Sequence, residues 1–202
     1  MGPLTEALAE IAAGRPVVVA GTHGDLVFAG SAATPALVAL AVRHTDGFVC
    51  VAMTDENCNR LGLPPMYYGA VAAGGEAFTV TVDARTGGTG ISATDRAHTI
   101  RLLADPAAHA ADFARPGHVV PIRTSPARAG RAEAALELVR LAGKGGAAVL
   151  SGIVSERSVG MAGPEELAAF AATHGLTVVS AAEVLENRPA SCDHCGHLVA
   201  AD

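Results

Sequence analysis

Between residues 76 and 104, EAFTVTVDARTGGTGISATDRAHTIRLLA, the polarity pattern changes period twice. Phe78, Val80 and Val82 alternate with Thr79, Thr81 and Asp83, the two-residue repeat of a half-buried strand. The alternation stops at Gly87, Gly88, Thr89 and Gly90, a run too polar and too flexible for a core. Beyond it Ser92 or Thr94 can cap a helix, Asp95 suits the positive end of its dipole, and Ile100, Leu102 and Leu103 supply an apolar stripe. Strand, glycine-rich turn and helix start are together a common way to hold an anion.

The same reading places a short amphipathic helix over 4–13, a buried strand over 17–20, the tight turn GTHGD and a second strand over 26–29. Thr34 caps a helix running to about residue 43, with Pro35 at the first helical position, where its missing N–H costs nothing. A strand over 48–53 and a short helix over 54–61 lead to a mobile loop over 67–75. Past the glycine turn and a polar connection, a strand is expected over 119–123 and a long helix over 127–142. A strand over 147–154, a helix over 164–174, a strand over 176–179 and a closing helix over 181–185 complete the series. Strands and helices alternate throughout, which predicts an α/β (α+β) sandwich with helices packed on a mixed sheet. Residues 1–188 form one domain, and 189–202 a C-terminal tail.

Composition narrows this picture. No apolar run approaches the ~20 residues that span a bilayer, and the first residues, MGPLTEALAEIAAG, carry acids where a secretory signal carries lysines. The expectation is a cytoplasmic protein with no membrane partner. A net charge of −6 argues against a nucleic-acid surface. Four cysteines, Cys50, Cys58, Cys192 and Cys195, are too few and too scattered for a disulfide framework. Cys192, Cys195 and His197 follow the spacing of half a zinc site, with His194 between the cysteines, so the tail either binds zinc or is a plain tail.

The phrases GRPVVV, RHTDGFVCVAMT, RLGLPPM, FTVTVDAR, TGISATDRAHTI and RPGHVVPI resemble the 3,4-dihydroxy-2-butanone 4-phosphate synthase family of riboflavin biosynthesis, in order, from about residue 4 to about residue 188. The resemblance implies a homodimer with active sites at the subunit interface. It also implies a Mg²⁺-dependent conversion of ribulose 5-phosphate to dihydroxybutanone phosphate and formate. Three family features are missing. The acidic loop before GDL, which supplies a metal-binding Glu and a substrate-binding Arg, is reduced to Ala20, Gly21, Thr22 and His23. Arg131 stands where the family has its metal-ligand His, and Gly152 where it has an acid–base Glu. Asp25, Asp83 and Glu133 are the carboxylates left to rebuild a metal site.

These absences lead to the expectation of a diverged enzyme without the Mg²⁺ site: a lyase, isomerase or cyclase acting on a small anionic carbonyl or polyhydroxy compound in specialised metabolism. The alternatives are the family's own reaction, or a non-catalytic dimer partner or ligand-binding regulator. The candidate catalytic residues are Asp25, His23, Cys50 and His118. His23 in the shortened turn suits a general base, and Cys50 is a nucleophile or simple packing. His118 lines the site or serves as a structural hydrogen-bonder. The candidate substrate-binding residues are Arg128, Arg131, Thr89 and Ser92. Arg128 and Arg131, three apart on the expected 127–142 helix, are read as an anion clamp at its start. Thr89 and Ser92 match the family's glycine-rich turn.

Overall fold

The computed structural model describes residues 2–68, 75–86 and 88–189. Most of the expected 67–75 loop and nearly all of the tail, including Cys192, Cys195 and His197, lie outside the described residues. The chain runs α1 (Pro3–Ala12), β1 (Val17–Ala20), β2 (Gly24–Ala29), α2 (Pro35–His44), β3 (Cys50–Thr54), α3 (Asp55–Arg60), β4 (Ala77–Phe78), β5 (Val82–Ala84) and α4 (Ala93–Ala104). It continues through β6 (Phe113–Thr124), α5 (Arg131–Leu141), β7 (Ala147–Gly152), α6 (Pro164–His174), β8 (Val178–Ser180) and α7 (Ala181–Glu186).

The strands pair in the order β4-β6-β3-β7-β2-β1-β8, with β5 added beside β6. The β1–β8 and β3–β6 pairs are parallel and the others antiparallel, so the sheet is mixed, as the alternation predicts. Strands β2 and β7 are buried at every position, because helices cover both faces. On one face α1, α5 and α7 cover Val27, Cys50 and Leu150. On the other, α2 and α4 cover Leu26, Phe28, Val51 and Val149. Leu167 and Ala171 of α6 close over Val18. The largest of these side chains are fully enclosed, and truncating one such as Leu150 would cost about 3 kcal/mol.

Small residues let the layers approach. Helix α5 is buried from Ala132 through Val139, and its alanines bring it down on the sheet. Gly24 lies under Leu167, whose Cδ2 would sit 2.2 Å from any added Cβ, so a side chain at 24 would have to displace that leucine.

Three elements differ from the sequence expectation. The alternating stretch from 76 is two short strands, because the Thr79 amide donates to the Pro121 carbonyl and Thr79 bridges to Pro65 between them. Strand β6 starts at Phe113, six residues before the expected 119, because β5 pairs with its first residues. Helix α5 starts at Arg131 and not near 127. Residues 125–130 form a turn, with the Arg128 amide donating to the Ser125 carbonyl. Glu133 then reaches back to accept from the amides of Gly130 and Ser125, at 3.1 and 3.2 Å.

Candidate active site

The sheet carries two clusters of polar side chains. The first lies where β2, β7 and β3 meet the start of α5. Asp25 pairs in register with Gly152 on the antiparallel neighbour β7 and is 2% exposed. Arg131, the first residue of α5, donates through Nη1 to Asp25 Oδ1 at 2.6 Å and through Nε to Glu76 Oε1 at 2.5 Å. The guanidinium therefore joins a carboxylate from the sheet interior to one from the segment ahead of β4. Burial raises the Asp25 carboxyl to about 6; Arg131 draws it back down, while Glu76 and Asp46 push it up. Burial works against the Arg131 charge, but the Glu76 hydrogen bond and the two neighbouring carboxylates outweigh it and raise its pKa.

Asp46, in the α2–β3 connection, completes this cluster. Its Oδ1 accepts from the Phe48 amide and the Ser151 hydroxyl, both at 2.9 Å. A Cβ at Gly152 would meet Asp46 Oδ2 at 2.9 Å, Met161 Cε at 2.8 Å and Arg131 Nη1 at 3.5 Å. Thus the place where the resemblance puts a glutamate is filled by the side chains of other elements. Cys50 borders the cluster on β3, fully buried; desolvation first and Glu76 second push its thiol up to about 12. At neutral pH it stays protonated, the state of a packing thiol and not of a nucleophile.

The second cluster lies on the glycine turn. His118 Nδ1 is 2.7 Å from Asp83 Oδ2, and the His118 amide donates to Asp83 Oδ1 at 2.9 Å. Asp83 thus fixes both the ring and the backbone of a half-exposed histidine. Two glycines allow this: a Cβ at Gly90 would strike Asp83 Oδ2 at 2.1 Å, and one at Gly117 the Val82 backbone at 2.0 Å. Ser92 caps α4, accepting from the Asp95 amide at 3.1 Å. The Asp95 carboxylate in turn accepts from the Gly88 amide at 3.4 Å, and the Ser92 hydroxyl first, then that amide, hold its carboxyl below the usual range. Thr89 is exposed within the turn.

The structure therefore divides the sequence candidates. Asp25, Arg131 and Cys50 meet in the first cluster; His118, Ser92 and Thr89 belong to the second. His23 is exposed on the β1–β2 turn, with no side-chain hydrogen bond to either cluster among the described residues. Arg128 is not on α5 and does not form a clamp with Arg131: its Nε donates to Glu133 Oε1 at 3.0 Å and its Nη2 to the Arg123 carbonyl at 2.6 Å. Of the carboxylates named as substitute metal ligands, Asp83 is held by His118 and Glu133 caps α5, so only Asp25 lies in the first cluster. Glu76 and Asp46, which accompany it, are not among the sequence candidates and come from connections between elements.

A family model described as 3,4-dihydroxy-2-butanone 4-phosphate synthase matches residues 5–187. The riboflavin biosynthesis protein RibBA of Salinispora arenicola is 49% identical over 197 residues, covering 93% of this chain and 47% of that protein. RibBA of Rhodococcus jostii is 50% identical over 193 residues, covering 90% and 46%. The chain spans about half the length of the curated relatives it matches. A solved 3,4-dihydroxy-2-butanone 4-phosphate synthase in complex with two magnesium ions is 37% identical, with a TM-score of 0.84 over 92% of this chain and 96% of that one.

These findings correct two expectations. Relatives at 49–50% identity carry riboflavin-biosynthesis names, which overturns the reading of a changed reaction in specialised metabolism. The magnesium-bound relative overturns the reading that the cation site is lost. The donor chemistry here suits that ion. Mg²⁺ takes hard oxygen ligands and is commonly held by one or two carboxylates, with water and substrate oxygens completing the shell. Asp25 gives Oδ1 to Arg131 and keeps Oδ2 unbonded among the described residues. Glu76 lies across the guanidinium from it. No group of three or more His, Cys, Asp or Glu encloses an ion among the described residues, so such a site would be open and completed by the ligand.

Proposed function

We propose that this chain, which belongs to the 3,4-dihydroxy-2-butanone 4-phosphate synthase family, carries out that family's reaction, converting ribulose 5-phosphate to dihydroxybutanone phosphate and formate. The observation that carries this reading is the family match over residues 5–187, nearly the whole described chain. The geometry supports it. Enolising a sugar phosphate needs a group that moves protons near neutral pH, donors for the phosphate and positive charge beside the developing enediolate. His118, half-exposed and oriented through Nδ1 by Asp83, serves as the proton carrier. The α4 start with Ser92 and Thr89 offers hydroxyl and amide donors to a phosphate. Asp25 and Glu76 would hold the magnesium ion beside Arg131, and the ion would polarise the sugar's carbonyl and hydroxyl oxygens.

Within one chain the two clusters lie at different points along β6, one beside its C-terminal end and the other at its middle. Glu76 precedes Ala77, which pairs with Arg123, whereas His118 stands five residues earlier, roughly 15 Å of strand away. A homodimer placing the glycine turn of one protomer against the Arg131 cluster of its partner would unite them, and we propose that arrangement as the working form.

The test is direct. The protein is incubated with ribulose 5-phosphate and Mg²⁺, with and without chelator, and formate is measured. The expected result is formate release at enzyme-like rates that chelation abolishes; absence of formate with the metal present would overturn the proposal.

A further inference from the structure

Arg131 is tied down by nothing but carboxylates. Its Nε and Nη2 donate to the two oxygens of Glu76, at 2.5 and 3.4 Å, and its Nη1 donates to Asp25 Oδ1 at 2.6 Å. Three of the four carboxylate oxygens of this pair are therefore taken, and among the described residues only Asp25 Oδ2 has no donor. Other arginines of the molecule are held differently. Arg60, Arg115, Arg123 and Arg128 donate to the backbone carbonyls of Ala108, Leu61, Leu63 and Arg123 respectively, so the fold fixes them whatever charge stands nearby. Arg131 makes no such bond among the described residues. The side chains of Asp25 and Glu76 are only 3% and 16% exposed, so water cannot balance their charge and a cation must stand between them. The architecture demands a positive charge there, and only charge makes it the guanidinium.

Arg131 and a divalent cation thus need the same oxygens. We propose that Arg131 is a built-in competitor for the magnesium ion, a residue that lowers the affinity of Asp25 and Glu76 for the free ion and yields these carboxylates only when the ion replaces it. This rests on the reading above that Asp25 and Glu76 hold the ion. While no other cation is present the pairing is compulsory, because these carboxylates have no second ion-pair partner among the described residues. Against a doubly charged ion the guanidinium is repelled, and it has no backbone acceptor to keep it in place. It is then available to pair with an anionic ligand. The role differs in sign from that of a supporting residue. A guanidinium that merely held two carboxylates in position would strengthen ion binding, whereas a competitor weakens it.

Binding of Mn²⁺, which takes the same hard oxygen ligands as Mg²⁺, reads that sign. It is measured on the full chain by loss of the free-ion EPR signal, for the parent, for Arg131→Ala and for Arg131→Ala combined with Asp25→Asn. Arg131→Ala is expected to tighten Mn²⁺ about 10- to 100-fold, within the span of a typical coupling between two sites, and adding Asp25→Asn should abolish that gain. Mg²⁺ should displace the Mn²⁺ and should raise the thermal midpoint of Arg131→Ala more than that of the parent. Arg131→Lys keeps the charge but cannot fork across two carboxylates. It carries the same comparison if Arg131→Ala does not fold, with a smaller tightening expected. Unchanged or weaker Mn²⁺ binding in whichever variant folds, a gain that survives Asp25→Asn, or no Mn²⁺ binding by any of these proteins would each overturn the inference. Tighter, Asp25-dependent binding in the variant, with no formate released by the parent, defeats the reaction proposal alone. Chelator-sensitive formate release with a Mn²⁺ affinity indifferent to Arg131 defeats the inference alone.

Discussion

Asp25 and Asp83 are aspartates on strands of one sheet, each holding a basic side chain, yet they are built for opposite behaviour. Asp25 sits on an interior strand between β7 and β1, enclosed by helices, and its partner Arg131 is permanently charged. Asp83 sits on a three-residue outer strand, and its partner His118 is an imidazole whose side chain is 40% exposed. Depth decides what each pair can do. In the interior, carboxylate and guanidinium must neutralise each other, because separating them would leave a buried charge uncompensated. At the edge water shares that task, so the aspartate orients its histidine without immobilising the proton. The first pair is a fixed electrostatic frame, and the second can exchange protons with a ligand.

Removing the guanidinium should break the contrast most sharply. Arg131→Ala leaves Asp25 and Glu76 facing each other, and a loss of about 3 kcal/mol is expected in urea denaturation. Combining it with Asp25→Asn should recover much of that loss. A cost below about 1 kcal/mol would mean that water, not Arg131, neutralises the buried acids.

The dyad should respond in activity and not in stability. Asp83→Asn is expected to lower formate release about 100-fold, the lower range for a mispositioned proton carrier, with an unfolding midpoint close to that of the parent. Adding His118→Ala should cost little more if the two act as one unit. Fully additive losses would show that they act separately.

The smallest effect is in pH dependence. Folded Asp25 titrates at about 6, against an ordinary value of 3.8. Between these values the native state keeps a proton that the unfolded chain has released, so stability should fall as pH rises through that window. The expected decline is about 2 kcal/mol between pH 4 and pH 7, and Asp25→Asn should flatten it. A rise in stability over the same range would show that Arg131 outweighs burial at this site.

Much of this molecule was legible in the sequence where the signal is local. The buried strands over 17–20 and 26–29 and the Thr34 and Ser92 caps appear where propensity and pattern place them. Asp25 and His118 stand out within motifs. Glu76 does not, and Asp46 lies within RHTDGFVCVAMT without marking itself as chemistry, because each lies in a connection and becomes part of a site only when the sheet brings β2, β7 and α5 together. Arg128 misled for a related reason. Helical spacing from 127 puts it beside Arg131, but Glu133 reaches back to the Ser125 and Gly130 amides and holds 125–130 as a turn. The three missing family residues likewise read as loss in one dimension, whereas in space the gap at Gly152 is occupied by Asp46 and Arg131.

The register shift between β5 and β6 has a practical side. Val82 pairs with Val119 and Asp83 with Ala114, so residues 115–118 stand outside the β5–β6 pairing. His118 is carried on that excursion and reaches Asp83 because the ladder lets go of it there. A segment held at both ends by pairing but free of it in between can be rewritten as a cassette. Changes in this segment that keep Gly117, where a Cβ would strike the Val82 backbone, would re-aim the histidine while the strands beneath keep their partners, a freedom denied to Asp25, whose place in the ladder is also its place in the site.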